Sequence, residues 1–285
     1  MNNFSDVNSL DDPLITRVMA CVNDQSDGTP LTSDHSITLN FHPDIMQGGV
    51  SVISQLLSDS LYRSQFETGT SSGSLSSHVG GKRWNWESRL FCGLYDCAPS
   101  SKRPKYGALN YKKCLAGGAP RFGSAYLRLK SHVLCQTTFA YPDSHYESVD
   151  LGTQTRMGLI SLADANEAGL DDSLDNYVEA HVHGPVHVER DVDSLVLDPS
   201  FRNSPIESVA QQLPCNVEWH GGFRLESSHY EQCLGFRGKE TADFVNYLSG
   251  KGVITPATLS PYRDGSVDEQ IIKKVWHCLV KFGAA

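Results

Sequence analysis

The chain has 285 residues, is 39% hydrophobic and 20% charged, and carries a formal net charge of −9. That length is enough to bury a full core, as one large domain or one domain with an appendage. The acidic balance argues against a protein built around nonspecific attachment to nucleic acid or a membrane surface, and no apolar run approaches the ~18 residues of a membrane span.

The opening stretch, Met1 to Asp12, is polar and acidic, unlike a secretory leader. Leu14 to Val22 predicts a short amphipathic helix. Ile37 to His42 alternates as a strand does, and Pro43 ends it. Gly48 to Leu57 has the spacing of a helix, with Val50, Ile53, Leu56 and Leu57 in register. Tyr62 to Thr70 is expected to be extended, and Ser71 to Lys82 to be a Ser/Gly-rich loop. Trp84 to Tyr95 is rich in aromatic residues. A basic stretch follows, holding Lys102, Arg103, Lys105, Lys112, Lys113, Arg121, Arg128 and Lys130. Within it, Tyr106 to Leu109 leads to a loop with Gly117, Gly118 and Pro120, then a strand from Ser124 to Leu129. Gln136 to Phe139 predicts another strand, turning at Pro142-Asp143.

A polar region with Gly152, Asp171, Asp172 and Asp175 precedes an apolar-alternating strand around Glu179. Val192 to Leu197 is the next strand, closed by Asp198-Pro199. Residues 239–252 and 267–281 are expected to be helices. The order of elements, helices early and late with many short strands between, predicts an α+β fold. Three parts are expected: an N-terminal helical segment over 1–30, a central domain over 31–205, and a partly helical segment over 206–285.

The eight cysteines form no CxxC pair and are expected to be reduced in a cytosolic protein. No GxGxxG, GxxxxGK[ST] or HExxH sequence occurs, which argues against Rossmann dehydrogenases, P-loop NTPases and zincins. Gly69-Thr70-Ser71-Ser72-Gly73 matches GxSxG. A nucleophile elbow needs a helix directly after the serine, and the Ser/Gly-rich continuation is a poor one.

The segment Tyr177 to Val186 carries the strongest signal. Side chains of a strand alternate, so Glu179, His181 and His183 share one face, and Val178, Ala180 and Val182 take the other, toward the core. A face of this kind is a solvated surface, a metal site or a catalytic site. His181 and His183 lie about 6.6 Å apart along the strand, within reach of one ion. A metal-dependent hydrolase using Glu179, His181 and His183 is therefore one reading, and a non-catalytic interaction protein is another. The third uses Glu179 alone. Departure of a flat leaving group from a sugar carbon produces an oxocarbenium-like transition state. A carboxylate stabilises that charge, and an aromatic wall holds the leaving group.

Six segments point further: Leu39 to Asp44, Tyr62 to Gly69, Arg103 to Asn110, Pro120 to Leu129, Thr137 to Phe139, and Glu179 to Pro185. In this order, over about residues 35–205, they resemble the bacterial domain-of-unknown-function family DUF3626. That family is in turn similar to ADP-ribosyltransferase toxins in its order of parts: a first strand carrying His or Arg, a middle Tyr/Ser segment, and a late strand carrying Glu. The resemblance implies a split, mostly antiparallel β-sandwich with flanking helices, and NAD as co-substrate with no metal. It implies that Glu179 is the catalytic residue, bonding the nicotinamide-ribose hydroxyl and facing the oxocarbenium ion. It implies that His42 contacts the ribose or the nicotinamide amide, and that Tyr106 stacks on nicotinamide, with Gly107 beside it. Arg63 or Arg121 would hold the pyrophosphate, and Ser71 stands in a loose match to the Ser-Thr-Ser signature. Arginine-modifying toxins carry Glu or Gln two positions before the catalytic Glu; Tyr177 occupies that position here, which leaves the acceptor, expected to be a protein, open. The implied setting is a cytosol, with delivery of a bacterial toxin or effector into a host or competitor cell.

Overall fold

The computed structural model describes residues 12–32, 34–69, 76–146 and 149–284. Ser71, with most of the GxSxG motif, lies outside these residues. Helix α1 (Pro13–Asn23) starts where Asp12 accepts a hydrogen bond from the Leu14 amide and Pro13 supplies the first helical residue. It buries Ile15, Val18 and Val22, one face of a 3.6-residue repeat. Strand β1 (Ile37–Phe41) is buried along its whole length.

The expected helix from Gly48 begins later. Gly48 and Gly49 both take positive φ, 56° and 84°, and turn a small hairpin between Met46–Gln47 and Val50–Ser51. Helix α2 (Val52–Asp59) follows, capped by the Ser51 hydroxyl. The extended segment expected from Tyr62 to Thr70 is also corrected. Only Leu61–Tyr62 is strand, and Gln65–Thr68 forms one helical turn. Ser64 and Glu67 close a reciprocal capping box there, which outweighs the β-forming residues around it. Helix α3 (Lys82–Leu90) covers the aromatic-rich segment.

Six more strands follow β1 in the main sheet after β2 (Lys105–Leu109): β3 (Ala125–Leu129), β4 (Thr137–Tyr141), β5 (Asp150–Thr153), β6 (Val178–Val182), β7 (Val192–Leu197) and β8 (Asn216–Trp219). The sequence reading missed β5 and β8, and helices α4 (Leu159–Ala165), α5 (Pro205–Ala210) and α6 (Tyr230–Arg237). It found α7 (Lys239–Ser249) and α8 (Glu269–Phe282).

The order across the sheet is β8-β7-β3-β1-β2-β6-β4-β5, antiparallel throughout except for the parallel pair β7-β8. The chain is thus a mixed helix-and-sheet fold around one large, mostly antiparallel sheet. The expected separation into two sheets is corrected: all eight strands are hydrogen-bonded in one. The join between its halves is short. β1 meets β2 only at Ile37–Leu109 and Thr38–Ala108, then continues along β3, while the start of β2 pairs only with β6.

The segment after Ala116 fills the opening. Its Gly118 amide bonds the Thr38 hydroxyl at 2.8 Å, and the Asn40 side chain bonds the Ala116 carbonyl at 2.9 Å. One core lies on the face that carries Val178, Ala180 and Val182. A second packs α1 and α3 over the other face of the β2-β6-β4-β5 half. A third joins α6, α7 and α8. Cys21 of α1 is disulfide-bonded to Cys92 just after α3, which corrects the expectation that every cysteine is reduced.

Gly107 sits at the point where the strands part. A Cβ there would stand 2.5 Å from both the Thr38 carbonyl oxygen and Leu39 Cδ2. Its small size serves strand packing. Gly107→Ala is expected to destabilise the fold by about 1–3 kcal/mol through overpacking, read as a lower urea midpoint at unchanged slope.

Candidate functional site

A cavity of about 390 Å³ opens where β1 and β2 diverge. The end of β1 gives it Asn40, Phe41 and His42, and the start of β2 gives it Lys105, Tyr106 and Gly107. Glu179 of β6 reaches it from the far side of β2, and Arg63, Arg121 and Trp276 also line it. Of the residues singled out in the sequence, His42, Arg63, Tyr106, Gly107, Arg121 and Glu179 share this one cavity.

Glu179 is only 5% exposed, and His181 and His183 are fully buried, so their face is not solvated. Both oxygens of the carboxylate meet donors. Oε2 accepts from the Ser144 amide at 3.2 Å and the Ser144 hydroxyl at 2.9 Å. Oε1 accepts from His181 Nε2 at 3.0 Å, and Arg83 Nη1 stands 3.8 Å away. Burial pushes the Glu179 pKa up. The His181 hydrogen bond and the Arg83 charge outweigh it and hold the carboxyl below its usual range, so the group is ionised.

An ionised Glu179 accepts only, and this fixes the protons behind it. His181 donates from Nε2, so its Nδ1 accepts from the Thr138 hydroxyl at 3.1 Å. Thr138, its one proton used, accepts from His183 Nε2 at 2.9 Å. His183 Nδ1 then accepts from the Tyr95 hydroxyl at 2.8 Å. Both nitrogens of both imidazoles are thereby committed to protein partners. Among the described residues no group of three or more His, Cys, Asp or Glu side chains is arranged to hold a metal ion.

Tyr106 is anchored by its hydroxyl, which donates to Glu87 Oε1 at 2.7 Å. Glu87 is itself paired with Arg103 at 2.5 Å. The Arg83 guanidinium lies 3.9 Å from the centroid of the Tyr106 ring and donates to the Ser144 hydroxyl. The ring also packs against His181 at 5.4 Å and Trp86 at 6.3 Å, and Tyr106 lines the cavity. Arg83 and Glu87 lie one helical turn apart on α3, and together they brace both the carboxylate and the aromatic wall.

His42 closes another side. Its Nδ1 is 3.2 Å from Arg263 Nη2, and its ring packs edge-on against Trp276 at 4.9 Å. Burial, then the charge of Arg263, pushes its pKa well below 6.5, so it is neutral and accepts from the guanidinium. Arg63 is exposed and paired with Asp59 at 2.7 Å, and Glu67 caps its own helical turn. Arg121 pairs with Asp175. Tyr177 faces the cavity and donates to Asp143 at 2.5 Å.

Sequence reasoning missed Arg83, Glu87, Ser144, Arg263, Lys273 and Trp276. Arg83 and Glu87 carry a readable signal, two opposite charges at i and i+4 inside an aromatic-rich helix. Ser144 follows the turn at Pro142-Asp143, and nothing in its local sequence marks it.

His42, His181 and His183 are each driven below 6.5, first of all by burial. They are neutral when folded and take up protons when unfolded as pH falls through about 6.5. The unfolded state then binds more protons, so stability drops. Each histidine is expected to remove about 1.4 kcal/mol per pH unit below its unfolded pKa. Urea titrations stepped from pH 7 to 5 read this directly, and an unchanged midpoint would overturn the neutral assignment.

A search of curated proteins finds no match to this chain. Comparison with protein families does: the family described as "Protein of unknown function (DUF3626)" matches residues 36–168 and 159–282. The match runs through β1, the Glu179 strand and the C-terminal helices, so every described wall of the cavity falls inside it. The chain belongs to the DUF3626 family.

Proposed function

We propose that the protein cleaves the bond between nicotinamide and ribose in NAD and transfers the ADP-ribose to an acceptor, a protein side chain. The observation that carries this reading is Glu179: a buried carboxylate, ionised, reached from a cavity beside an anchored tyrosine. Breaking the glycosidic bond leaves positive charge on the ribose carbon. A fixed anion with little water around it stabilises that charge without reorganising during the reaction.

Ser144, His181 and Arg83 hold the carboxylate in place, which favours the geometry in which it also binds the ribose hydroxyl. Tyr106, part of the cavity lining, offers nicotinamide an aromatic surface, and neutral His42 offers a polar contact to the ribose or the amide. A sheet joined at its centre by two residue pairs and open beyond them supports a likeness to the split sandwich of ADP-ribosyltransferase toxins. Tyr177, two positions before Glu179, is occupied by its bond to Asp143 and is not the carboxylate or amide of arginine-modifying toxins, which favours an acceptor other than arginine.

The Cys21–Cys92 disulfide supports passage through an oxidising compartment before action in a cytosol. Among the described residues no helix is long and apolar enough to cross a membrane.

Purified protein with NAD is expected to release nicotinamide, faster when a cell lysate supplies the acceptor. Glu179→Gln is expected to lower release at least about 100-fold while keeping the circular dichroism of the parent. No release, and no thermal shift with NAD, would sink the reading.

A further inference from the structure

The outer wall of the cavity is built by the C-terminal part of the chain. Arg263 comes from the turn after the Pro256–Leu259 helical segment, and Lys273 and Trp276 come from α8. Trp276 fixes this wall: its Nε1 donates to the carbonyls of Pro120 at 3.1 Å and Arg121 at 3.0 Å. Arg263 and Lys273, from neighbouring segments, therefore line one cavity with Arg121, which is distant from both in sequence.

Their donors are not used up. Arg121 Nε is buried and makes no hydrogen bond among the described residues. Arg263 has Asp44 as its carboxylate partner, 3.3 Å from its Nε, spends its Nη2 on His42, and also feels the charge of Glu269. Arg121 has one, Asp175. A guanidinium carries five N–H donors, and one carboxylate takes at most two in parallel. Lys273 is half-buried and makes no hydrogen bond or ion pair among the described residues. Burial pushes its pKa down, and the charges of Arg121 and Arg237 push it further.

Cations that line one cavity with donors to spare, Lys273 within the field of Arg121, are completed by an anion. Two arginines present forks, and the lysine a point charge. That set fits an extended dianion better than a single carboxylate.

We infer that Arg263, Lys273 and Arg121 form a subsite for the linked phosphates of a nucleoside diphosphate, with α8 as its outer wall. The inference rests on the NAD reading for the identity of the nucleotide, but its anion chemistry is testable alone. The C-terminal segment then belongs to the binding site rather than standing beside it as an appendage.

Calorimetric titration of the full-length chain with inorganic pyrophosphate, ADP and NAD tests this. Pyrophosphate and ADP are expected to bind the parent protein, and Lys273→Gln and Arg263→Gln each to weaken both at least tenfold. Lys274→Gln, an exposed neighbour on the same helix, is expected to leave both affinities unchanged. If Arg263→Gln loses its circular dichroism, Lys273→Gln decides. Absence of pyrophosphate and ADP binding, or binding unaffected by Lys273→Gln, overturns the subsite even where NAD is turned over. Lys273-dependent binding without NAD turnover keeps the subsite and removes the transferase reading.

Discussion

The structure depends on where β1 stops pairing with β2. Two residue pairs, Ile37–Leu109 and Thr38–Ala108, hold the halves of the sheet together. Beyond them β1 follows β3 and β2 follows β6. Backbone groups left without a strand partner must be satisfied in some other way. Here the side chains of Thr38 and Asn40 turn to the segment that crosses the opening and satisfy its Gly118 amide and Ala116 carbonyl. The opening is therefore stable without collapsing, and it places the end of one strand, the start of another and the Glu179 strand around a common space.

Each half brings a different chemistry to that space. The β2-β6-β4-β5 half carries the ionised carboxylate, its buried polar support and the tyrosine wall, all roofed by α3. The β8-β7-β3-β1 half carries neutral His42 and, through Trp276, the basic wall of the C-terminal helices. One side can stabilise developing positive charge and the other can hold negative charge. The proposed substrate, with a cleavable glycosidic carbon at one end and phosphates along its length, would call on both.

Much of this was legible in the sequence where a period carries the information. The alternation through Val178 to His183 assigned both faces of β6 correctly, because a strand buried on both sides still has to sort its polar residues onto one of them. The long amphipathic pattern of α8 was equally plain. What stayed hidden was information carried by chain crossings. Arg83 reaches Glu179 only because α3 lies over the sheet, and Lys273 reaches the cavity only because Trp276 docks onto the loop at Pro120. The GlyGly hairpin at 48–49 and the capping box at Ser64 were legible signals overridden in the reading by hydrophobic spacing. The split into two sheets failed for a subtler reason: whether two halves are separate or joined turns on two hydrogen-bonded pairs.

The row from Tyr95 to Glu179 has a direction. Tyr95 gives a proton to His183, His183 to Thr138, Thr138 to His181, and His181 to the carboxylate. A proton added to Glu179 would face a donor on either oxygen, since Ser144 occupies one and His181 the other. Accepting it on the His181 side would require two tautomer changes and two hydroxyl reversals in concert. The row therefore acts as a latch on the charge of Glu179: the anion keeps every bond in its present direction, and a neutral carboxyl keeps them only if the whole row reverses, as far back as the hydroxyl of Tyr95.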